Sequence, residues 1–478
     1  MRNRNALQAI AAIALLVTAD VASAQCVPAV KAISQPAAFP NLMAGPVATT
    51  GSIIGLAKSD TTTGAPAIFF ATYGSDLTQL STDRQIADTS ANTTAVVWNG
   101  SEFALFYQQP NYILMMQRID TSGTPIGAAV AITNHAWAGD DEVDVVWSPT
   151  RNAYGIARTV TNGPDRGLWL TVVSRTGSIV ADTQITLFSN IPAVPRVAAL
   201  PGGSFAVSWL RSSGPLFLSV VAPSGMTQSI AVADRTVTSA QIATDGNTIL
   251  VIFSSTTVSG MTTGTELRSS QFDLAGNRLT PDAPFLTGSG TDIVPLHLHS
   301  TLALSEWALT YNDAASGLYG FPGQIRLRRF RSLGVIASDT LLSPDPVRGQ
   351  LNALYPIVFM NGAYYATIRR LLSRVEGSES YLLKLCPFFV TAKNDTSLTL
   401  PFSPVTFTAN GSGGTPPYRF EWNFGDNGVA VGAVVQHLYS APGTYTVTLT
   451  GTDAAGAVSI NTTTVVISTG GKRRTVRH

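Results

Sequence analysis

Apolar and polar positions alternate with a period of two along most of this chain, in short runs broken by Gly, Asn, Asp, Ser and Pro. That period places successive side chains on opposite faces of a strand, whereas helical spacing is scarce. The stretch from Ala95 to Gly127, AVVWNGSEFALFYQQPNYILMMQRIDTSGTPIG, carries the pattern in full. It reads as strand, tight turn at Asn99-Gly100, strand, loop, strand and a polar turn around Gly123. Asn-Gly between alternating apolar runs predicts a type I′ hairpin turn, in which both central residues take positive φ. Such a unit cannot bury both of its faces alone, so it predicts neighbours of its own kind.

The unit recurs. Strands Ile68 to Tyr73, Leu114 to Ile119, Leu168 to Val173, Leu216 to Val221, Leu267 to Phe272 and Ile325 to Phe330 precede turns at Gly74, Gly123, Gly177, Gly225, Gly276 and Gly334. By subtraction the glycines are spaced 49, 54, 48, 51 and 58 residues apart. A seventh copy, Ser380 to Leu385, ends at Cys386. Hairpins lie upstream of these strands, with turns at Asn99-Gly100, Gly202-Gly203, Asp245-Gly246 and Asn361-Gly362. Four short strands in roughly 50 residues resemble a kelch-like or WD40-like propeller blade. The predicted fold class is all-β: a seven-bladed β-propeller over residues 25–387, followed by a second domain.

Blade seven lacks an outermost strand of its own. Ala29-Val30-Lys31-Ala32-Ile33-Ser34 mirrors the fourth strand of blade two, Ala128 to Thr133, and supplies a candidate. Pairing it onto blade seven would bring together Cys26 and Cys386, the chain's two cysteines, as a disulfide across the closure.

After Pro387 the pattern changes. Pro404 to Ala409 is an alternating strand. Then come Trp422-Asn423-Phe424-Gly425-Asp426-Asn427-Gly428, His437-Leu438-Tyr439, Pro442-Gly443-Thr444-Tyr445-Thr446-Val447-Thr448-Leu449 and Asp453. Residues 388–468 closely resemble the polycystic kidney disease (PKD) family of immunoglobulin-like domains, whose core carries W-x-F-G-D-G, H-x-Y and P-G-T-Y-x-V-x-L. The one departure is the extra Asn427. The resemblance implies a β-sandwich serving as spacer or adhesion module, with the motif residues in structural roles. Trp422 has the bulk to fill the centre of such a sandwich. Asp426 reads as a turn cap, with calcium ligation as the alternative.

Composition narrows the setting. Arg2 and Arg4, the apolar run Ala9 to Val17 and the site Ala22-Ser23-Ala24 predict a signal peptide over residues 1–24, hence a secreted or extracytoplasmic protein. A lipoprotein reading of Cys26 is weakened by Gln25, where that signal carries a small residue. Charged residues are 12% of the chain, against roughly 25% in ordinary globular proteins. A net charge of +1 gives no field to draw nucleic acid. No later apolar run is long enough for a transmembrane helix. The tail, residues 469–478, is basic through Lys472, Arg473, Arg474 and Arg477, and reads as disordered.

The chemistry-bearing residues are sparse. His297 and His299 share one face of a strand, without a third ligand at recognisable spacing, and read as pore- or core-facing. Asp140-Asp141-Glu142 with Asp144 lacks the D-x-[DN]-x-[DN]-G calcium pattern and reads as an acidic loop. Trp98, Trp147, Trp209 and Trp307 read as blade-core residues, with a sugar-binding surface as the alternative. There is no G-x-S-x-G, H-E-x-x-H or P-loop, and no catalytic residue, metal or cofactor is assigned. The sequence favours a non-enzymatic binding or adhesion protein whose propeller loops meet an extracellular protein or glycan. The alternative is a glycan-active hydrolase or lyase whose two carboxylates meet in the propeller funnel.

Overall fold

The structure is a computed structural model. It describes residues 29–468 apart from 34–41, 61–66, 89–91, 110–112, 133–142, 161–163, 188–191, 212–213, 226, 260–261, 287–291, 302–305, 315–323, 333–334, 342–349, 355, 374–376, 415 and 455–457. The expected signal peptide, Cys26, the Asp140-Asp141-Glu142 loop, the Gly334 turn and the basic tail lie outside the described residues.

Among the described residues, 29–385 form seven antiparallel sheets, six of them meanders of four consecutive strands and the seventh completed by residues 29–32. The blades span 42–87, 92–131, 143–187, 192–233, 237–286, 292–341 and 350–385, and are numbered 1 to 7 accordingly. First strands of successive blades pack together, so they lie innermost: Leu42–Thr49, Asn92–Trp98, Val143–Ser148, Pro192–Ala199, Val237–Thr244 and Asp292–Thr301. The innermost strand of blade 7 is Gln350–Leu354. Each blade buries both faces, and a separate apolar cluster fills each junction. Phe70 meets Phe103 between blades 1 and 2, and Phe106 meets Tyr154 between 2 and 3. Leu327 meets Tyr364 between 6 and 7. Leu56 and Tyr73 meet Tyr365 and Leu382 between 1 and 7, which closes the ring. A fully buried side chain of this size contributes about 1.5–3 kcal/mol, so the ring stands on these junctions. It is a β-propeller.

The chain's two ends share blade 7. Ala29–Ala32 adds to Gly377–Leu385 in antiparallel register, Ala29 opposite Lys384 and Ala32 opposite Tyr381. The outermost strand of the last blade therefore comes from the other end of the propeller sequence.

A β-bulge marks the same place in six of the seven innermost strands, where the register skips between Ala44 and Val47, Thr93 and Ala95, Ala193 and Arg196, Val237 and Ser239, Pro295 and His297, and Leu351 and Ala353. A bulge leaves main-chain groups outside the ladder, and buried ones need partners. The preceding blade supplies several. Thr367 Oγ1 donates to Gly45 O at 2.7 Å, and Ser239 Oγ to Pro295 O at 3.4 Å. Just past the bulge of blade 4, Asp144 Oδ2 accepts from Val197 N at 2.8 Å.

Two turn expectations need correction. Asn99 does not take positive φ; Gly100 alone does, with φ 96°, and Asn99 N donates to Glu102 O. Asn99 is thus the first turn residue, and its Oδ1 accepts from Ser101 N and Glu102 N. At Asn361-Gly362, by contrast, both residues are left-handed, with φ 51° and 76°. In blade 1 the turn glycine is not Gly74. Leu77 N donates to Gly74 O as Gly123 N does to Asp120 O, and Leu77 carries φ 67°. A leucine therefore stands where other blades have glycine, its side chain buried beside Tyr73 and Tyr365.

The second domain begins without a linker. Gly377–Leu385 ends blade 7, and Phe389–Asn394 begins a two-sheet sandwich. That strand pairs with Pro404–Ser412, which pairs with Val434–Leu438. The facing sheet runs Leu398–Thr399, Val458–Ile467, Gly443–Thr452, Arg419–Asn423, Val429–Val431. Phe407, Trp422, Phe424, Tyr439, Val447 and Leu449 fill the space between.

Candidate binding site in the central channel

The innermost strands bring four polar side chains towards the propeller axis. Asp144 comes from blade 3, Arg196 from blade 4, and His297 and His299 from blade 6. Neighbouring residues fix their faces. Val197 packs towards blade 3 and Leu298 towards blade 5, so Arg196 and the two histidines take the opposite faces of their strands. The bulges just before Arg196 and His297 re-aim both side chains. All four residues keep some accessible surface although protein surrounds Asp144 and both histidines, as side chains lining a narrow lumen do.

Electrostatics follow from that enclosure. Burial pushes His297 down to about 3, assisted by the neighbouring His299 and by the Arg196 charge. Burial pushes His299 down to about 4. Both imidazoles are therefore neutral near pH 7, each able to offer one N–H and one acceptor. The rings lie 6.4 Å apart. His297 Nδ1 is buried without a hydrogen-bond partner among the described residues. Burial raises Asp144, against the opposing pull of Arg196 and the main-chain N–H groups of Val197 and Val145. Arg196 Nη1 donates to Pro195 O at 2.8 Å. No group of three or more His, Cys, Asp or Glu that could hold a metal exists among the described residues.

Ion pairs bind several other charges into the scaffold. Lys58 meets Asp83 at 2.5 Å. Glu102 takes Arg118 at 2.8 Å and, across the blade boundary, Arg175 at 3.1 Å. Asn99 beside it donates to Tyr154 OH of blade 3 at 2.8 Å. Asp282 holds Arg268 and Arg235, and Glu266 holds Arg268. Glu306 meets Arg329 at 2.5 Å, both buried.

The tryptophans expected in the blade cores lie against aromatic neighbours. Trp209 stacks on Phe217 at 4.5 Å and donates to Ser219 Oγ. Trp307 is buried in the junction of blades 5 and 6. Trp98 and Trp147, both half-buried, lean on Phe103 and Tyr154 at 4.9 and 4.7 Å.

In the sandwich, the motif residues form one connected cluster. Asp426 Oδ1 accepts from Gly428 N at 3.0 Å, and Oδ2 lies 2.8 Å from His437 Nε2. His437 stacks on Phe424 at 4.0 Å and meets Tyr439 edge-on. Tyr439 OH donates to Phe424 O, and its ring stacks on Tyr445 at 4.2 Å. Trp422 Nε1 donates to Gly432 O. Gly425 has φ 82°, and a Cβ there would fall 2.7 Å from Thr446 O. The extra Asn427 absorbs its insertion by taking φ 73°. Val447 is in the core and Gly443 opens its strand. Asp453 is buried beside Gly414. These residues hold the turn and the two sheets together. A shallow groove of about 490 Å³ lies on the outer face of this domain, between Glu421 and Asn423 on one strand and Val429 and Val431 on the next. Glu421 is its titratable group, and it pairs with Arg419.

Cys386 is buried at the end of blade 7; with Cys26 outside the described residues, the expected disulfide stays an expectation. Sequence reasoning missed Arg196. The signal was a charged residue inside the apolar run AVPRVAAL, which becomes an innermost strand.

No curated protein matches the sequence. Solved structures of similar shape include one from an analysis of two prolyl endopeptidases, at TM-score 0.44 and 11% identity, covering 78% of this chain and 55% of that one. The chain thus spans about half the length of that relative. The β-propeller domain of the Trilobed protease from Pyrococcus furiosus gives TM-score 0.46 and 7% identity, covering 72% of this chain and 94% of that one. A quinonprotein alcohol dehydrogenase-like protein from Bacteroides thetaiotaomicron gives 0.41 and 11%, covering 66% and 68%. Residues 389–468 match the family model described as PKD domain, and the C-terminal sandwich is a PKD domain.

Proposed function

We propose that this is an exported, non-enzymatic binding protein: a propeller that presents its loops and channel mouth to an extracellular protein or glycan, with the PKD domain as a fixed projecting module. The supporting observation is where the carboxylates go. Asp83, Glu102, Glu266, Asp282 and Glu306 are each tied to a cation, and Asp144 is tied to the main chain of the next blade. A glycosidase needs one carboxyl free to give a proton and another free to act as base or nucleophile. Here these groups act as struts between strands and blades. The export signal and a Cys26–Cys386 clasp belong to the same reading. The test is a glycan array and an extracellular-matrix pull-down with the mature chain, run beside a product assay on any glycan that binds. Saturable binding without released sugar supports the reading. Turnover that disappears in a carboxylate-to-amide variant would establish the hydrolase alternative.

A further inference from the structure

We propose that the central channel holds a small oxyanion, a carboxylate or phosphate, gripped by the Arg196 guanidinium and by the imidazole of His297. Arg196 and His297 come from blades 4 and 6, on different sides of the lumen, and each is the first residue to rejoin the ladder after a bulge, opposite Ser208 and Thr310. Arg196 Nη1 donates to its neighbour's carbonyl, Pro195 O, while a guanidinium has five N–H donors. Asp144, the acidic group whose field reaches Arg196, already takes N–H donors from Val197 and Val145. His297 Nδ1 is buried with no partner among the described residues, so a donor-capable atom sits opposite an underused cation. Arg196 also opposes protonation of His297, so its charge is felt at that imidazole. Two neutral imidazoles would suit a metal, but the cation on the far wall disfavours one and favours an anion. This inference does not rest on what the outer loops bind.

The test follows the imidazole nitrogens of the full mature chain by ¹⁵N NMR, with His297→Asn and His299→Asn assigning the signals. Sodium acetate, glucuronate and inorganic phosphate are each titrated at constant chloride. Saturable movement of the His297 signals by one of them is expected, and the comparison of arms separates carboxylate from phosphate. Arg196→Gln should weaken that response about tenfold or more, since a hydrogen bond to a charged group is lost. Arg196→Lys, which keeps the charge and loses the fork, should weaken it less. Thermal melts identify the variants that fold, and either folded variant suffices for the comparison. No saturable movement with any of the three anions overturns the proposal. So does a response unchanged in the folded Arg196 variant, or a zinc response at both histidines with none to anions.

Discussion

Arg329, fully buried in the sixth blade, donates from Nη1 to the main-chain carbonyl of Phe388 at 3.0 Å. Its Nη2 meets Glu306 at 2.5 Å, and the guanidinium lies 3.9 Å from the ring of Phe389. Phe388 itself belongs to the sandwich core. One cation therefore binds a blade, the crossing point and the first strand of the PKD domain. This makes the sandwich an extension of the propeller and not a tethered bead.

Arg329→Met should destabilise the chain by about 3–5 kcal/mol, because it removes a buried cation that the buried Glu306 carboxylate is paired with. The double variant Arg329→Met, Glu306→Gln should recover part of that loss. Urea denaturation measures both. Limited proteolysis gives a second readout: cleavage near residues 386–388 should rise in the single variant. Equal stability of single and double variants would show that the ion pair is not what holds the junction.

Leu77 pits conformation against burial. Its left-handed backbone costs roughly 1–2 kcal/mol, which glycine would not incur. Removing a buried leucine side chain costs about 2.7–5 kcal/mol. Leu77→Gly should therefore be destabilising by about 1–4 kcal/mol. Leu77→Ala, which loses the side chain and keeps the strain, should be worse than Leu77→Gly, by about 1 kcal/mol. The order of their denaturation midpoints is the measurement; glycine below alanine would mean that φ relief plays no part.

Asp426 carries a pH dependence whose sign can be worked out. Burial would raise its carboxyl, but His437 and the Gly428 N–H hold it below the ordinary aspartate range. A carboxylate with a depressed folded value stabilises the fold above its unfolded value, near 4, and that contribution is lost as pH falls through the folded value. The stability of the PKD domain should therefore decline from about pH 4 downward. In Asp426→Asn that part of the acid slope should flatten. Denaturation midpoints of both proteins at several pH values between about 2 and 6 decide it, and parallel curves would remove Asp426 as the source.

The parts of this molecule that strand periodicity and turn chemistry specify were legible from residues alone. The alternating runs give the blades, and the Trp422 to Gly428 segment gives the sandwich. Turn details were less legible, because local composition cannot show which turn position a residue takes. Asn99-Gly100 and Asn361-Gly362 are the same dipeptide in different positions, and Asn99 is fixed by a hydroxyl from the next blade, Tyr154. Leu77 escaped because a buried contact with blade 7 overrides its backbone preference. The channel residues are legible only in three dimensions. Asp144, Arg196 and His297 stand far apart in sequence, and closure of the ring is what brings their strands around one axis.

Gly155 predicts how tightly the ring is drawn. A Cβ built there would fall 2.3 Å from a ring atom of Phe205, in the core of the next blade. Phe205 is fully buried between Gly155 and its own sheet, so it has no direction in which to yield. Gly155 is not left-handed, and alanine itself would suit the strand. The cost of Gly155→Ala is therefore one of space. Overpacking of this kind costs about 1–3 kcal/mol. A smaller residue at the contact should rescue it: Phe205→Leu loses packing in the native background but makes room for the added methyl. The double variant should thus be more stable than the sum of the two single losses, with a coupling of about 0.5–3 kcal/mol. Urea denaturation of the four proteins gives that coupling directly. Strict additivity would mean that blades 3 and 4 have slack between them, and that the ring is held by something other than close fit.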